Sequence, residues 1–294
     1  MKKLLILSGK GGTGKTTVAA AFIDFLNSKA FADCDVDAPN LHLVVKEKQA
    51  SENKNYYGGQ KAVINLQKCT ACGVCVDNCR FDAIIKTGSV YKINEYACEG
   101  CGVCFRSCLQ GAVRMSDDIA GEQMLFKSDR VFSTAKLKMG RGNSGKLVTE
   151  VKAELFKNAP QAELAIIDGS PGVGCPVIAS VSGVDLVLIV AEPSLSGISD
   201  MERIIKTTEI LGTKAAICVN KYDISAENTD AIERFCTKNG LAFVGRIPYD
   251  KKALSAVNSG HSLAAEKCPA RDALLELCKN TLNILEINTP ENLF

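Results

Sequence analysis

An eight-residue segment near the beginning of the chain has the residue types and spacing that bind nucleotide phosphates. It follows a short apolar run, Lys3–Leu7, which predicts a strand, and it precedes an apolar-periodic segment that predicts a helix to about Ser28. Glycines allow backbone N–H groups to turn toward a β-phosphate. Lys15 is expected to reach the β- and γ-phosphates, and the Thr16 hydroxyl is expected to bind Mg²⁺. The predicted phosphate-binding residues are Gly9, Lys10, Gly11, Gly12, Thr13, Gly14, Lys15, Thr16 and Thr17.

Eight of the 14 cysteines form two copies of one tight spacing, and the second copy begins 29 residues after the first. The C-x₂-C-x₂-C-x₃-C run is typical of bacterial ferredoxins, in which the fourth cysteine of one run binds the cluster of the other. We therefore expect two [4Fe–4S] clusters. Zinc is the alternative, although zinc sites usually have two separated pairs of cysteines. The predicted ligands are Cys69, Cys72, Cys75 and Cys108 for one cluster, and Cys98, Cys101, Cys104 and Cys79 for the other.

The composition is that of an ordinary globular chain. Its 294 residues are 46% hydrophobic and carry a formal net charge of +2, so neither disorder nor strong attraction to nucleic acid or membrane is expected. The first apolar run is too short for a signal peptide, and no apolar stretch is long enough to span a bilayer. We expect a cytoplasmic protein. A secreted disulfide scaffold is the alternative that so many cysteines raise, but such scaffolds are usually short and poor in core.

Strand and helix patterns alternate on both sides of the cysteine-rich segment, which favours an α/β fold with a doubly wound, mostly parallel sheet. A polar stretch from Lys46 to Gln60 is expected to be a linker. The predicted organisation is a first part of the large domain at 1–60, an inserted small α+β ferredoxin-like domain at 61–115, and the second part at 116–294. The other strand candidates are Lys29–Cys34, Leu164–Asp168, Val184–Ala191, Ala215–Val219 and Ala242–Ile247. Helices are predicted near Ser199–Leu211, Asn228–Lys238 and Ala270–Leu285, and from Asn143-Ser144 onward.

The additional lysine near the start of the phosphate loop, Lys10, is the signature of the deviant Walker A motif. The chain therefore resembles the MinD/ParA/Mrp-type ATPases over its whole length except the insertion, and among them those with an inserted ferredoxin domain. The resemblance implies ATP hydrolysis, weak without a partner. It also implies that two subunits close face to face over two nucleotides, as a homodimer or with a related ATPase. The signature lysine of one subunit would then reach the phosphates bound to the other.

The resemblance also implies roles for two acidic segments. The loop from Asp33 to Asn40 is similar to the first switch of the family, and by position Asp35 matches the carboxylate that orients the attacking water, with Asp37 as the substitute. The run Ile166 to Gly172 is similar to the Walker B strand and second switch. Asp168 in that run is expected to hold Mg²⁺ through water. The Gly172 N–H is expected to sense the γ-phosphate.

The base site is predicted from two segments that follow strands. Asn220-Lys221-Tyr222-Asp223 has the N-K-x-D form with which GTPases bind guanine, whereas the family uses the equivalent asparagine for adenine. Pro248 and Tyr249 resemble its base-contacting loop. ATP is the preferred nucleotide and GTP the alternative. Asp223 has a plainer explanation as a capping or turn residue.

Cys175 lies seven residues after Asp168, the offset of a cluster-ligating cysteine in the nitrogenase iron protein, where the cluster bridges a dimer. The second ligand of that pattern is absent, because the matching stretch from Lys138 to Gly142 has no cysteine. Cys175 is therefore either a ligand of a site that a partner completes or a buried cysteine at a helix N-terminus.

Three functions are compatible with these motifs. The first is electron transfer through the two clusters, gated by a nucleotide-dependent dimer and directed to a redox client. The second is assembly or delivery of iron–sulfur clusters or another metallocofactor to a client protein. The third is a positioning ATPase of the cell-division type that senses redox state, although the C-terminal helix lacks the basic face that binds membranes.

Overall fold

The computed structural model describes residues 1–45 and 50–288, which form eleven strands, ten α-helices and two 3₁₀ turns. The strands are β1 (Lys2–Leu7), β2 (Ala30–Asp33), β3 (Glu52–Ile64), β4 (Ile84–Thr87), β5 (Val90–Ile93), β6 (Val113–Lys127), β7 (Val131–Leu137), β8 (Leu164–Asp168), β9 (Leu186–Ala191), β10 (Lys214–Asn220) and β11 (Ala242–Ile247). The helices are α1 (Lys15–Phe25), α2 (Leu41–Val44), α3 (Val74–Asp77), α4 (Val103–Ser107), α5 (Ser144–Asn158), α6 (Cys175–Val181), α7 (Leu195–Ile210), α8 (Ala226–Lys238), α9 (Lys251–Asn258) and α10 (Pro269–Leu285). The 3₁₀ turns are Tyr222–Ile224 and Leu263–Ala265.

The chain divides into two compact units. The large unit comprises Met1–Asn53, Gln123–Lys136 and the chain from Ser144 onward. The small unit comprises Lys54–Glu122 together with Leu137–Asn143, and it contains all eight clustered cysteines. The sequence-based boundaries at 61 and 115 lie inside the longer segment of the small unit.

The main sheet has nine strands in the order β11-β10-β9-β1-β8-β2-β7-β6-β3. β1 pairs in parallel with both β8 and β9, β2 with β8 and β7, and β10 with β9 and β11. From β1 the chain continues to β2, which lies on the β8 side of β1 in the sheet. From β8 it crosses over β1 to β9, which lies on the opposite side of β1. Ligands bind at such reversals, outside the carboxyl ends of the strands, so the loop after β1 occupies the expected position for a site.

The central strand explains why the N-terminal apolar run has no polar interruption. Leu4 and Ile6 belong to the core cluster that includes α1 and α10, while Leu5 and Leu7 alternate with them along the strand. All four side chains are fully buried. A parallel strand covered on both faces is apolar at every position, and this strand has that pattern.

The strand predictions are confirmed for β1, β2, β8, β9, β10 and β11, and the helix predictions for α1, α5, α7, α8 and α10, with end shifts of a few residues. The linker prediction is wrong where it overlaps β3, since Glu52–Ile64 is one long strand. Its side chains are mostly exposed and polar, so the apolar alternation that would mark a strand is weak. The first linker residues, 46–49, lie outside the described residues.

The small unit contains a hairpin, β4 paired antiparallel with β5, and the two short helices α3 and α4. Each helix follows a glycine with positive φ, Gly73 at 85° and Gly102 at 77°. Both glycines come directly after the second cysteine of a run, so a left-handed residue turns the chain into the helix that carries the third cysteine. In the described part of the chain, no helix combines the length and the apolar character needed to cross a membrane.

One buried lysine connects two helices of the large unit. Lys152, in the middle of α5, is 5% exposed, and its ammonium group donates to the carbonyl oxygens of Ala179, Ser180 and Ser182 at 2.6 to 2.9 Å. These carbonyls lie at the end of α6, where a helix leaves its last acceptors without intrahelical donors. Lys152 thus serves as the C-terminal cap of α6, supplied by another helix.

Replacing Lys152 with Met is expected to lower the free energy of unfolding by about 1–3 kcal/mol, because buried carbonyl groups lose their donor. The measurement is urea unfolding followed by far-UV circular dichroism. Lys157→Met is the matched control, since Lys157 is exposed on the same helix. Equal stabilities of the two variants would show that the cap contributes nothing.

Candidate functional site

The glycine-rich loop connects the end of β1 to the beginning of α1, which starts at Lys15. Gly14 has a φ of 95°, and a Cβ placed there would lie 2.3 Å from the Asn220 Nδ2 atom. Both facts require glycine, the first for conformation and the second for space. Asn220 in turn donates to the Thr13 carbonyl oxygen at 2.7 Å, so the strand β10 fixes the loop from outside.

Lys15, Thr16 and Asp168 meet at the carboxyl ends of β1 and β8. The Lys15 ammonium lies 2.7 Å from Asp168 Oδ1, and the Thr16 hydroxyl donates to Asp168 Oδ2 at 2.7 Å. Burial alone would lower the pKa of Lys15, but the charge of Asp168 and the hydrogen bond to it outweigh burial and raise that pKa. The arrangement therefore places one cation, one hydroxyl and one carboxylate where a phosphate and its metal ion would bind.

Asp33, the last residue of β2, organises the loop that follows it, and the sequence analysis assigned it no role. One carboxylate oxygen accepts from the Asp35 N–H at 3.0 Å, and the other accepts from the N–H groups of Asn40 and Leu41 at 2.9 Å. Asp33 is fully buried, and burial, followed by the charge of Asp168, raises its pKa to about 7. A carboxylate at the end of a buried strand is a signal that could have identified it.

The two predicted catalytic carboxylates have different surroundings. Asp35 is buried, and burial raises its pKa, an effect that the charge of Lys15 offsets in part. Asp37, two residues later, is exposed. At the end of the loop, the Asn40 side-chain oxygen lies 3.1 Å from the Thr16 hydroxyl oxygen, a contact that the sequence did not indicate.

Lys10 forms an ion pair within its own chain. Its ammonium group lies 2.8 Å from Glu192 Oε2, and Glu192 Oε1 lies 3.2 Å from the Lys221 ammonium. The hydrogen bond from Lys10, and to a smaller extent that from Lys221, holds the pKa of Glu192 below its usual value. Glu192 follows the end of β9 directly and is a second residue that the sequence analysis missed. It brings the signature lysine and a predicted base-site residue to one carboxylate.

A cavity of about 340 Å³ lies beside the phosphate loop in the large unit. Its lining includes Gly12, Gly14 and Thr17 together with four predicted base-site residues: Asn220, Lys221, Pro248 and Tyr249. Most of the other lining residues are apolar and come from α9, α10 and the 3₁₀ turn between them. An apolar recess with a few polar groups at its mouth suits a planar base.

Asp223 does not line this cavity. Its carboxylate accepts from the Tyr249 N–H at 2.7 Å, so it connects the loop after β10 to the loop after β11. This contact gives Asp223 a structural role, in agreement with its plainer explanation as a turn residue.

The segment after β8 is connected to both neighbouring strands. The Gly172 N–H donates to the Ser8 carbonyl oxygen at 3.0 Å, and the Ser170 hydroxyl donates to the Cys34 carbonyl oxygen at 2.6 Å. Gly172 is therefore bonded within the chain, where the sequence analysis expected it to face a phosphate. Cys175 begins α6 and is exposed, so the interpretation as a buried structural cysteine is wrong.

In the small unit, the eight clustered cysteines line two cavities. The first cavity is lined by Cys69, Cys72, Cys75 and Cys108, and the second by Cys79, Cys98, Cys101 and Cys104. Each cavity thus combines three cysteines of one run with the fourth cysteine of the other. The remaining lining is mostly apolar.

Backbone N–H groups surround at least one of these sulfur atoms. The Ala112 N–H donates to Cys108 Sγ at 3.3 Å. Burial acts to raise the pKa of Cys108, but Ala112 and the neighbouring N–H groups together hold it below its usual value. Burial raises the pKa of Cys75 and of Cys104. Within residues 1–45 and 50–288, no three His, Cys, Asp or Glu side chains are grouped as ligands of a single metal ion. Four thiols around one cavity, with N–H donors to sulfur, fit an iron–sulfur cluster.

The glycine-rich loop after β1, the ion pair between Lys15 and Asp168, and the parallel sheet together define a P-loop nucleotide-binding protein. A family model described as "CobQ/CobB/MinD/ParA nucleotide binding domain" matches residues 4–263. The chain belongs to this family. The resemblance to MinD/ParA-type ATPases and the predicted α/β fold are thereby confirmed.

Three comparisons show its similarity to known proteins. An uncharacterised protein of Methanocaldococcus jannaschii is 39% identical over 242 residues, which are 77% of this chain and 80% of that protein. A protein named "Iron-sulfur cluster carrier protein" from Pyrococcus horikoshii is 23% identical over 307 residues, 97% of this chain and 86% of that protein. The crystal structure of the Pyrococcus furiosus cell division ATPase MinD has a TM-score of 0.59 at 18% identity and covers 96% of this chain and 99% of that one. The last likeness shows the fold alone.

The raised pKa of Asp33 predicts how stability depends on pH when nucleotide and Mg²⁺ are absent. The folded protein binds more protons than the unfolded chain between the ordinary carboxyl pKa of 3.8 and about 7, so this group makes the free energy of unfolding fall as pH rises through that window. In Asp33→Asn this slope is expected to flatten between pH 5 and 7. Urea midpoints measured with a chelator present test it.

Asp37→Asn is the control for the pH measurement, because Asp37 lies on the same loop but is exposed. It should keep the pH dependence of the original chain. An Asp33→Asn variant whose slope equals that of the control would contradict the assignment.

Proposed function

We propose that this chain is an ATPase in which a nucleotide-dependent dimer controls electron transfer through two [4Fe–4S] clusters. The observation that carries the proposal is the pair of cavities in the small unit, each lined by the four cysteines that the spacing assigns to one cluster. Clusters enclosed by four thiols and apolar side chains are held firmly, as electron relays require. When bound, they would accept and donate single electrons.

The large unit supplies the residues for nucleotide chemistry. Lys15 would contact the phosphates, while Thr16 and Asp168 would hold Mg²⁺. Asp35 is buried beside Lys15 and is the preferred residue to orient the attacking water, with the exposed Asp37 as the weaker candidate. Phosphoryl transfer depends mostly on such positioning. The apolar cavity beside the loop favours ATP over GTP.

Lys10 is expected to act across a dimer, with a second copy or with a related ATPase. In the single chain its ammonium group is paired with Glu192. Hydrolysis is therefore expected to be slow until a partner binds. Nucleotide can change the electron path only if it binds the two dimer states with different affinity.

Delivery of iron–sulfur clusters to a client is the second candidate. Two observations favour it: the Pyrococcus horikoshii relative is named a cluster carrier, and Cys175 is exposed at the start of α6. Two Cys175 thiols from a dimer could hold a cluster that a client completes. A complete set of four cysteine ligands for each cluster favours retention over release, so electron transfer remains first. A positioning role has only the fold of the MinD structure in its favour.

The crossed ligand sets predict which cluster each variant loses. Cys79→Ser is expected to impair the cluster of Cys98, Cys101 and Cys104, whereas Cys108→Ser is expected to impair the other. Each variant should retain about half of the iron per chain after anaerobic reconstitution, and each should lose a different electron paramagnetic resonance (EPR) signal. Cys175→Ser is the control and should keep all the iron. Loss of the same signal in both variants would refute the crossed assignment.

If nucleotide binding is coupled to electron transfer, Mg-ATP is expected to change the reduction potentials of the clusters. An anaerobic, EPR-monitored redox titration of the intact chain should show a shift near 59 mV, which corresponds to a tenfold change in a one-electron equilibrium. Lys15→Gln should not respond to ATP. Unchanged potentials in the original chain would remove thermodynamic coupling. Cluster transfer to an apo-ferredoxin that depends on Cys175 would then establish the carrier function.

A further inference from the structure

We propose that Arg141 positions the turn that carries Cys98 and thereby sets the reduction potential of one of the two clusters without affecting the other. The inference rests on the proposed function, since it requires that both clusters bind. It concerns the stretch from Lys138 to Gly142, which has no cysteine and to which no role has been assigned.

Arg141 is held on several sides within the small unit, and its side chain is only 8% exposed. One terminal nitrogen lies 2.5 Å from the Glu95 carboxylate, and the other donates to the Glu95 carbonyl oxygen at 3.0 Å. Its Nε lies 3.0 Å from the Asp118 carboxylate, but the N–H is not aligned with that oxygen, so this contact is an ion pair without a hydrogen bond. The guanidinium group also lies over the Tyr96 ring, 5.4 Å from its centroid.

Glu95 and Tyr96 lie inside the turn that leads to Cys98. The side chain of Asn94 accepts from the Tyr96 N–H at 3.0 Å, and the Cys98 N–H donates to the Asn94 carbonyl oxygen at 3.0 Å. Arg141 therefore contacts Glu95 and Tyr96, the first two of the three residues between Asn94 and Cys98.

The 29-residue repeat builds the same turn before Cys69. The side chain of Asn65 accepts from the Gln67 N–H at 2.9 Å, and the Cys69 N–H donates to the Asn65 carbonyl oxygen at 3.1 Å. Even the supporting contacts correspond, since Asn94 donates to Ala83 and Asn65 donates to Ala112, each at 2.7 Å. The two turns thus have equivalent backbone hydrogen bonds.

The arginine contact breaks this equivalence. The positions that correspond to Glu95 and Tyr96 are Leu66 and Gln67. A leucine offers no carboxylate to a guanidinium group, so the first turn cannot form the same ion pair. Two clusters with matching ligands would therefore have different charges beside them.

The sign of the effect follows from the charge that reduction adds. A cluster gains one negative charge on one-electron reduction, so a nearby cation raises its potential and a nearby carboxylate lowers it. Arg141→Gln removes the cation and should lower the potential of the cluster bound by Cys98. Glu95→Gln removes a carboxylate from the same turn and should raise it. Each substitution breaks the same ion pair, so loosening of the turn alone would move the potential in one direction for both.

The experiment is an anaerobic titration of the holoprotein with dithionite, in which EPR follows the two clusters separately. The signals are assigned beforehand with Cys79→Ser and Cys108→Ser. For the cluster of Cys98, Arg141→Gln and Glu95→Gln are expected to change the reduction equilibrium by about threefold to tenfold in opposite directions, where tenfold is 59 mV. The other cluster serves as the internal reference. Arg141→Lys, which keeps the charge, should stay near the original value.

Lys138→Gln is the matched control, because Lys138 is exposed in the same segment as Arg141 and lines neither cysteine cavity. Shifts of the same sign in the Arg141 and Glu95 variants, or equal shifts in both clusters, would overturn the proposal. So would unchanged potentials. If the unsubstituted protein binds no iron after reconstitution, the proposed function itself is refuted. The iron content per chain therefore distinguishes failure of the proposed function from failure of the Arg141 proposal.

Discussion

The nucleotide site depends on one buried ion pair, that of Lys15 and Asp168. Each charge removed from water costs several kcal/mol, and only close partners offset that cost. Lys15 offsets the charge of Asp168, and the Thr16 hydroxyl adds a hydrogen bond. Asp33 is equally buried, and burial together with the charge of Asp168 raises its pKa. The site thus holds more potential negative charge than it can neutralise, which is the condition in which a divalent cation binds well.

Burial also explains how much could be predicted from the sequence. The strands at the centre of the sheet were found because both of their faces are buried and their residues are uniformly apolar. β3 was missed because its polar, mostly exposed residues resemble a linker. β6 was missed because charged residues interrupt its apolar positions, and β7 because the polar Ser133 and Thr134 lie buried in its centre. Lys15, Thr16 and Asp168 were found from local motifs. Asp33, Asn40 and Glu192 were not, because their importance comes from contacts between segments that are distant along the chain.

The cysteine-rich unit shows the same limit. Ligand spacing within a run is local, and the grouping of each fourth cysteine with the opposite run follows from a known pattern. Arg141 lies more than 30 residues after the last clustered cysteine, in a segment with no cluster motif. Only the folded chain brings it to Glu95 and Tyr96. The repeat predicts two equal sites. They differ because Arg141 comes from outside the repeat and because Glu95 stands where the other turn has Leu66.

Nucleotide binding and the small unit are connected at least through the chain itself, which passes between the two units four times. The last passage joins Asn143 to Ser144, the first residue of α5. Further along α5, Lys152 binds the carbonyl groups at the end of α6, and α6 begins directly after the loop that contains Asp168 and Gly172. A Cβ on Gly145 would lie 3.2 Å from the Cys175 carbonyl oxygen, so the two helices also begin in close contact. Such a path transmits a change only if it has two arrangements that nucleotide stabilises unequally.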